Sequence, residues 1–165
     1  MQRIGIDIGR VIIGSDTDRP DLIFTNKYLE APEVPEATVS IAQLVKHFGQ
    51  QNVFLVSKCG AQVQQKSREW LKYHEFFDKT GVSPANLRFC LQRHEKRGIA
   101  KKLVLNYFVD DRYTVLKHLV GLKNIRQLYL FNADKKELAS FKGSGCTDII
   151  ITSSWPQALA DLGVE

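Results

Sequence analysis

The sequence predicts an α/β protein in which helices cover both faces of a mostly parallel central sheet, giving three layers. Three observations lead there. Short apolar runs rich in Ile, Val, Leu and Phe recur along the chain, segments with apolar residues three and four apart lie between them, and the connections are short and polar. The 165 residues fit a single domain, 1–165, long enough to bury a sizeable core.

The opening stretch, Arg3-Ile4-Gly5-Ile6-Asp7-Ile8-Gly9, reads as a buried central strand that delivers Asp7 to its C-terminal end. In an open α/β sheet that edge is where ligands bind. Residues 11–34 are irregular. Val11-Ile12-Ile13 and Leu22-Ile23-Phe24 flank a polar, turn-rich centre that contains Asp16 and Asp18, which predicts a hairpin-like flap. Pro35-Glu36 then opens a helix whose apolar residues Val39, Ala42, Leu44, Val45 and Phe48 recur at helical spacing up to Gly49.

Asn52–Ser57 is the second buried strand, and it stops on a hydroxyl. A helix follows from Gly60 through Val63, Trp70, Leu71 and Tyr73, then a short strand Leu87–Cys90 and a helix over 94–104. Asn106–Asp111 is a strand that ends on two carboxylates. A helix over 112–121, a strand Gln127–Phe131, a polar loop, a strand Asp148–Thr152 and a last helix from Trp155-Pro156 complete the alternation.

Composition narrows the function classes. No apolar run approaches the roughly 20 residues that span a bilayer, and the first residues lack the layout of a signal peptide, so the expected location is cytoplasmic with no membrane partner. Cys59, Cys90 and Cys146 are too few and too far apart for a disulfide framework or a CxxC metal site. The four histidines show no metal-ligand spacing, and Asp16, Asp18 and Asp21 lack the Gly and Glu that a calcium loop requires. A net charge of +5 favours an anionic partner, a phosphorylated substrate or nucleic acid.

Three strand ends therefore present Asp7, Ser57 and Asp110-Asp111, and Lys96 opens the helix before the last of them. In a parallel sheet these ends share one edge. Carboxylates there suit a Mg²⁺ ion, while an ammonium and a hydroxyl suit the oxygens of a phosphate.

In this order the motifs resemble those of the haloacid dehalogenase superfamily: Asp7-Ile8-Gly9-Arg10-Val11, Val56-Ser57-Lys58, Lys96, and Val109-Asp110-Asp111-Arg112. The resemblance implies a Rossmann-like core and a Mg²⁺-dependent phosphohydrolase that acts on a phosphomonoester through an aspartyl-phosphate. It makes Asp7 the nucleophile, and Asp7, the Gly9 carbonyl, Asp110 and Asp111 the metal site. Ile8, Gly9, Ser57, Lys58 and Lys96 would hold the phosphate, with Lys96 also shielding Asp7 from the incoming anion.

One position departs from the pattern. Most phosphatases of the superfamily carry a second Asp two residues after the nucleophile, where it protonates the leaving group and then activates water; here that residue is Gly9. The resemblance thus leaves three readings: a flap carboxylate, Asp16 or Asp18, is recruited as the acid; turnover is confined to good leaving groups; or the chain is a binding module that has lost the reaction. The segments between motifs have no room for a separate lid domain, so only the flap, 11–34, caps the site, and an open crevice suits a large or nucleotide-like substrate.

Overall fold

The structure, a computed structural model, describes residues 1–15 and 21–165. In chain order its elements are β1 (Ile4–Ile6), α1 (Ala37–Phe48), β2 (Val53–Lys58), α2 (Ala61–Tyr73), α3 (Phe76–Thr80), β3 (Leu87–Cys90), α4 (Glu95–Lys102), β4 (Tyr107–Asp110), α5 (Tyr113–Leu116), β5 (Gln127–Phe131), α6 (Lys135–Ser144), β6 (Ile149–Thr152) and α7 (Trp155–Leu162). The six strands form one sheet in the order β3-β2-β1-β4-β5-β6, and every pairing is parallel. The predicted three-layer α/β fold is the fold observed. Each strand falls where the hydrophobic runs place it.

The chain winds outward from β1 to β3, then returns to lay β4 against the other side of β1. The order therefore reverses between β1 and β4, and an open α/β sheet has its binding crevice beyond the strand ends at such a switch point. The first strand alternates sharply between its two faces. Ile4 and Ile6 enter one apolar core with Ile41, Leu44, Trp70 and Trp155, whereas Gly5 turns to the other face, where Phe108, Leu105 and Leu116 pack. A Cβ on Gly5 would come within 2.7 Å of Leu105 and Phe108 side-chain atoms, so only glycine lets that layer close over the central strand.

Several local expectations are corrected. Leu22–Phe24 is a turn of 3-10 helix and not a strand, closed by the Phe24 N–H on the Asp21 carbonyl at 3.0 Å and the Thr25 N–H on the Leu22 carbonyl at 2.9 Å. The centre of the predicted flap, with Asp16 and Asp18, lies outside the described residues. The helix expected over 112–121 is regular only through Leu116. Beyond it Leu116, Leu119 and Leu122, three residues apart, are all buried, and the His118 and Leu119 N–H groups bond three residues back, which winds the chain tighter than an α-helix.

The polar loop expected between β5 and β6 contains a helix, α6. Its ends are set by caps: the Asp134 carboxylate accepts the Glu137 N–H at 2.8 Å, an N-cap, and Gly145 ends the helix in the left-handed conformation. Its few apolar residues, Leu138 and Phe141 among them, hid it. The short helix α3 was also unforeseen; Phe76 drives it, being buried against the core.

Candidate active site

Three chain segments meet at the switch point. β1 ends at Ile6, and the Asp7 N–H donates to the Val109 carbonyl of β4 at 3.0 Å, which fixes the nucleophile candidate beside Asp110. After Asp7 the chain tightens into a turn in which the Ile8 carbonyl accepts N–H groups from Val11, Ile12 and Ile13. The Trp155 Nε1–H of α7 caps this turn from below by donating to the Val11 carbonyl at 2.9 Å. A turn pinned at both sides cannot drift, so Asp7 is held to the crevice.

The carboxylates of Asp7, Asp110 and Asp111 are buried, and oxygens of all three lie within 4.8 Å of one another. Lys96 joins them from the first turn of α4. Its Nζ donates to Asp7 Oδ1 at 3.0 Å and to Asp110 Oδ2 at 2.8 Å, and its side chain is 1% exposed. The apolar stem reaches this depth along the Phe108 ring, whose centroid lies 5.4 Å from Nζ. The neighbouring cations go elsewhere: Arg93 donates to Thr114 Oγ1 and Arg97 to the His118 carbonyl.

Charge in so dry a place has clear consequences. Burial, then the negative charges of Asp7 and Asp110, push the Asp111 carboxyl up to about 9. Burial and Asp7 push Asp110 up to about 6, although Lys96 and the Arg112 N–H, which donates to Asp110 Oδ1 at 3.0 Å, oppose the rise. For Lys96, burial favours the neutral amine, but Asp110 and Asp7 together outweigh it and hold the ammonium charged above its ordinary range. Three buried carboxylates against one ammonium leave negative charge in excess. An all-oxygen donor set of this kind fits a hard divalent cation such as Mg²⁺, which would draw both raised carboxyls back to the ionised form.

These residues line a cavity of about 460 Å³ that also takes in Ile8, Gly9, Ser57 and Lys58. Ser57, at the end of β2, is buried with its Oγ 3.9 Å from Cys59 Sγ. Ile8 is packed in the core by its side chain, and Lys58 is exposed. Around Gly9 there is open space: a Cβ built there would meet nothing within 4 Å. Among the described residues no other side chain fills the position of the absent second Asp.

The motifs did not single out some members of the cavity. Arg10 lines it in a left-handed conformation, φ 62°, and forms ion pairs with Asp21 at 3.4 Å and Asp134 at 3.7 Å. Phe24 and Ile23 line it from the 3-10 turn. Nothing in their spacing announces this, because the turn that carries them reaches the crevice only through tertiary packing. The histidines stay outside the cluster, Trp70 and Trp155 are core residues, and all three cysteines are free thiols.

Solved structures share this architecture. The chain matches D,D-heptose 1,7-bisphosphate phosphatase from B. bronchiseptica, a structure complexed with magnesium and phosphate, with a TM-score of 0.71 at 14% identity over 98% of each chain. It matches D,D-heptose 1,7-bisphosphate phosphatase from Burkholderia thailandensis with a TM-score of 0.63 at 16% identity over 100% of each. It also matches DsGPDH of Dunaliella salina, TM-score 0.61 at 18% identity, where 96% of this chain covers 28% of that one. No family model matches the sequence, and no curated protein matches it. At such identities the likeness is one of fold. It is the Rossmann-like core fold that the motif resemblance implies.

Proposed function

We propose that the protein is a Mg²⁺-dependent phosphohydrolase of the haloacid dehalogenase type, acting on a phosphomonoester of a large or nucleotide-like leaving group. The observation that carries this reading is the meeting of Asp7, Asp110 and Asp111 within 4.8 Å, bridged by the buried Lys96, in one cavity with Ser57. The magnesium- and phosphate-bound structure among the matches supports the same chemistry.

Asp7, Asp110 and Asp111, with the Gly9 carbonyl, would hold Mg²⁺, which when bound supplies charge neutralisation for the phosphoryl oxygens. Lys96 and Ser57 bind those oxygens and orient the phosphorus toward Asp7. The Asp7 carboxylate forms a bond to phosphorus as the bond to the leaving oxygen breaks, giving an aspartyl-phosphate. Lys96 lowers the repulsion between the two anions, because its ammonium stays charged throughout. Water then attacks the phosphorus, inorganic phosphate leaves and Asp7 is regenerated.

Gly9 supplies no proton to the leaving oxygen. The acid is then a flap carboxylate, Asp16 or Asp18, or the leaving group departs as a stable anion. Hydrolysis of p-nitrophenyl phosphate with Mg²⁺ tests the reading: turnover is expected in the wild type, with a loss of at least about 10³-fold in Asp7→Asn. Activity that survives Asp7→Asn would overturn the nucleophile assignment. Mg²⁺ binding without turnover of any phosphate would favour a binding module instead.

A further inference from the structure

Among the described residues, eight large hydrophobic side chains are exposed, and of these Phe24 alone lines the cavity. It is 65% exposed, yet the turn beneath it is fixed. Leu22, two residues earlier, is buried in the core, Thr25 Oγ1 donates to the Leu22 carbonyl at 2.8 Å, and Lys66 of α2 donates to the Thr25 carbonyl at 3.0 Å. Folding therefore does not bury this ring but presents it on a rigid base. Ile23 beside it and Val63 of α2 continue an apolar wall on the cavity. The carboxylates, Lys96 and Ser57 make the opposite, anion-binding chemistry in the same space.

We infer that Phe24 is the specificity-determining residue of this site, a stacking platform for the nucleobase of a nucleotide phosphomonoester whose phosphate lies at Lys96 and Ser57. The inference rests on the phosphomonoester reading above and names the leaving group it acts on. A base has a flat π-face that an exposed phenyl ring covers, and such stacking is sequence-tolerant. A cavity of about 460 Å³ lies within the roughly 300–1,000 Å³ range of small-molecule sites, so one nucleotide fits it. Arg10, which also lines the cavity, is ion-paired to Asp21 at the start of the same turn and to Asp134, which ties the base of the platform to the rest of the fold.

The test compares adenosine 5′-monophosphate, a 5′-phosphorylated trinucleotide, glucose 6-phosphate and glycerol phosphate in wild type, Phe24→Ala, Phe24→Leu and Phe24→Trp. The wild type is expected to favour the nucleotides over glycerol phosphate in kcat/KM. Phe24→Ala and Phe24→Leu should lower that preference about 10-fold through KM, and Phe24→Trp should restore it. Preference for the trinucleotide over the free nucleotide would assign the site to strand ends, and the reverse to free nucleotides. A preference that Phe24→Ala leaves within about twofold, or an equal loss on glucose 6-phosphate, would overturn base stacking. Titration calorimetry with Mg²⁺ and adenosine 5′-monophosphate separates the two readings. If no phosphate is turned over, tighter wild-type binding of the nucleotide than of inorganic phosphate, lost in Phe24→Ala, still supports the platform, and equal binding overturns it.

Discussion

Asp111 carries the heaviest electrostatic load in the cavity, and its behaviour with pH can be worked out. Its carboxyl sits at about 9 in the folded protein, against roughly 3.9 when unfolded, so the folded chain holds a proton that the unfolded chain has released. Stability without Mg²⁺ should then fall as pH rises from about 4 to about 9, and Asp111→Asn should flatten the fall. Mg²⁺ should raise the melting temperature more at high pH than at low, because binding displaces that proton. Thermal melts at several pH values, with and without Mg²⁺, check both; a metal-free melting temperature that climbs over this window would contradict the electrostatics. Gly9 gives a second prediction. Its surroundings are open and its backbone is not left-handed, so Gly9→Asp fits without strain. If the enzyme lacks an acid there, this variant should raise kcat on glycerol phosphate, by about 10²-fold at the lower end for general acid catalysis, and far less on p-nitrophenyl phosphate, whose leaving group needs no proton. Equal changes on the two substrates would show that protonation is not what limits the wild type.

At the scale of elements, the strands were readable because a parallel sheet buries both faces and leaves continuous apolar runs in the sequence. Asp7, Ser57 and Asp110 were readable with them, since each simply ends such a run. Lys96 is named by its place at the start of a helix and by the order of the motifs, and the fold supplies the physical reason: Arg93 and Arg97 offer similar charge, but packing along Phe108 carries Lys96 inward while they bond elsewhere. Phe24 is illegible because its turn reaches the crevice only through packing, and α6 because its caps, not its apolar residues, define it. Gly5 links sheet packing to the site. Adding a methyl group there drives Leu105 and Phe108 apart from β1, and Phe108 underlies Lys96. Gly5→Ala is expected to cost about 1–3 kcal/mol in chemical denaturation, and to lower the proposed hydrolysis of p-nitrophenyl phosphate beyond what the remaining folded fraction explains. Unchanged stability would mean that the layer repacks freely.

For the whole molecule, the described residues include no helix long and apolar enough to cross a membrane, and the two apolar cores on either face of the sheet hold the chain together. The crevice lies at the seam where the two halves of the winding meet. That seam also sets an order of events during folding. The contact from Lys96 to Asp7 spans 89 residues, and β1 gains its second neighbour only when β4 arrives from beyond residue 106. A ribosome that has released the first half of the chain has made Asp7 and Ser57 but neither Lys96 nor Asp110, so nascent chain of that length holds no phosphate or metal site. Closing so long a loop comes at a high entropic cost, and the cluster should be absent from the folding transition state. Mg²⁺ is then expected to slow unfolding while leaving the refolding rate nearly unchanged, which stopped-flow kinetics would register. On this account the ion guards the finished protein and does nothing to hasten its making.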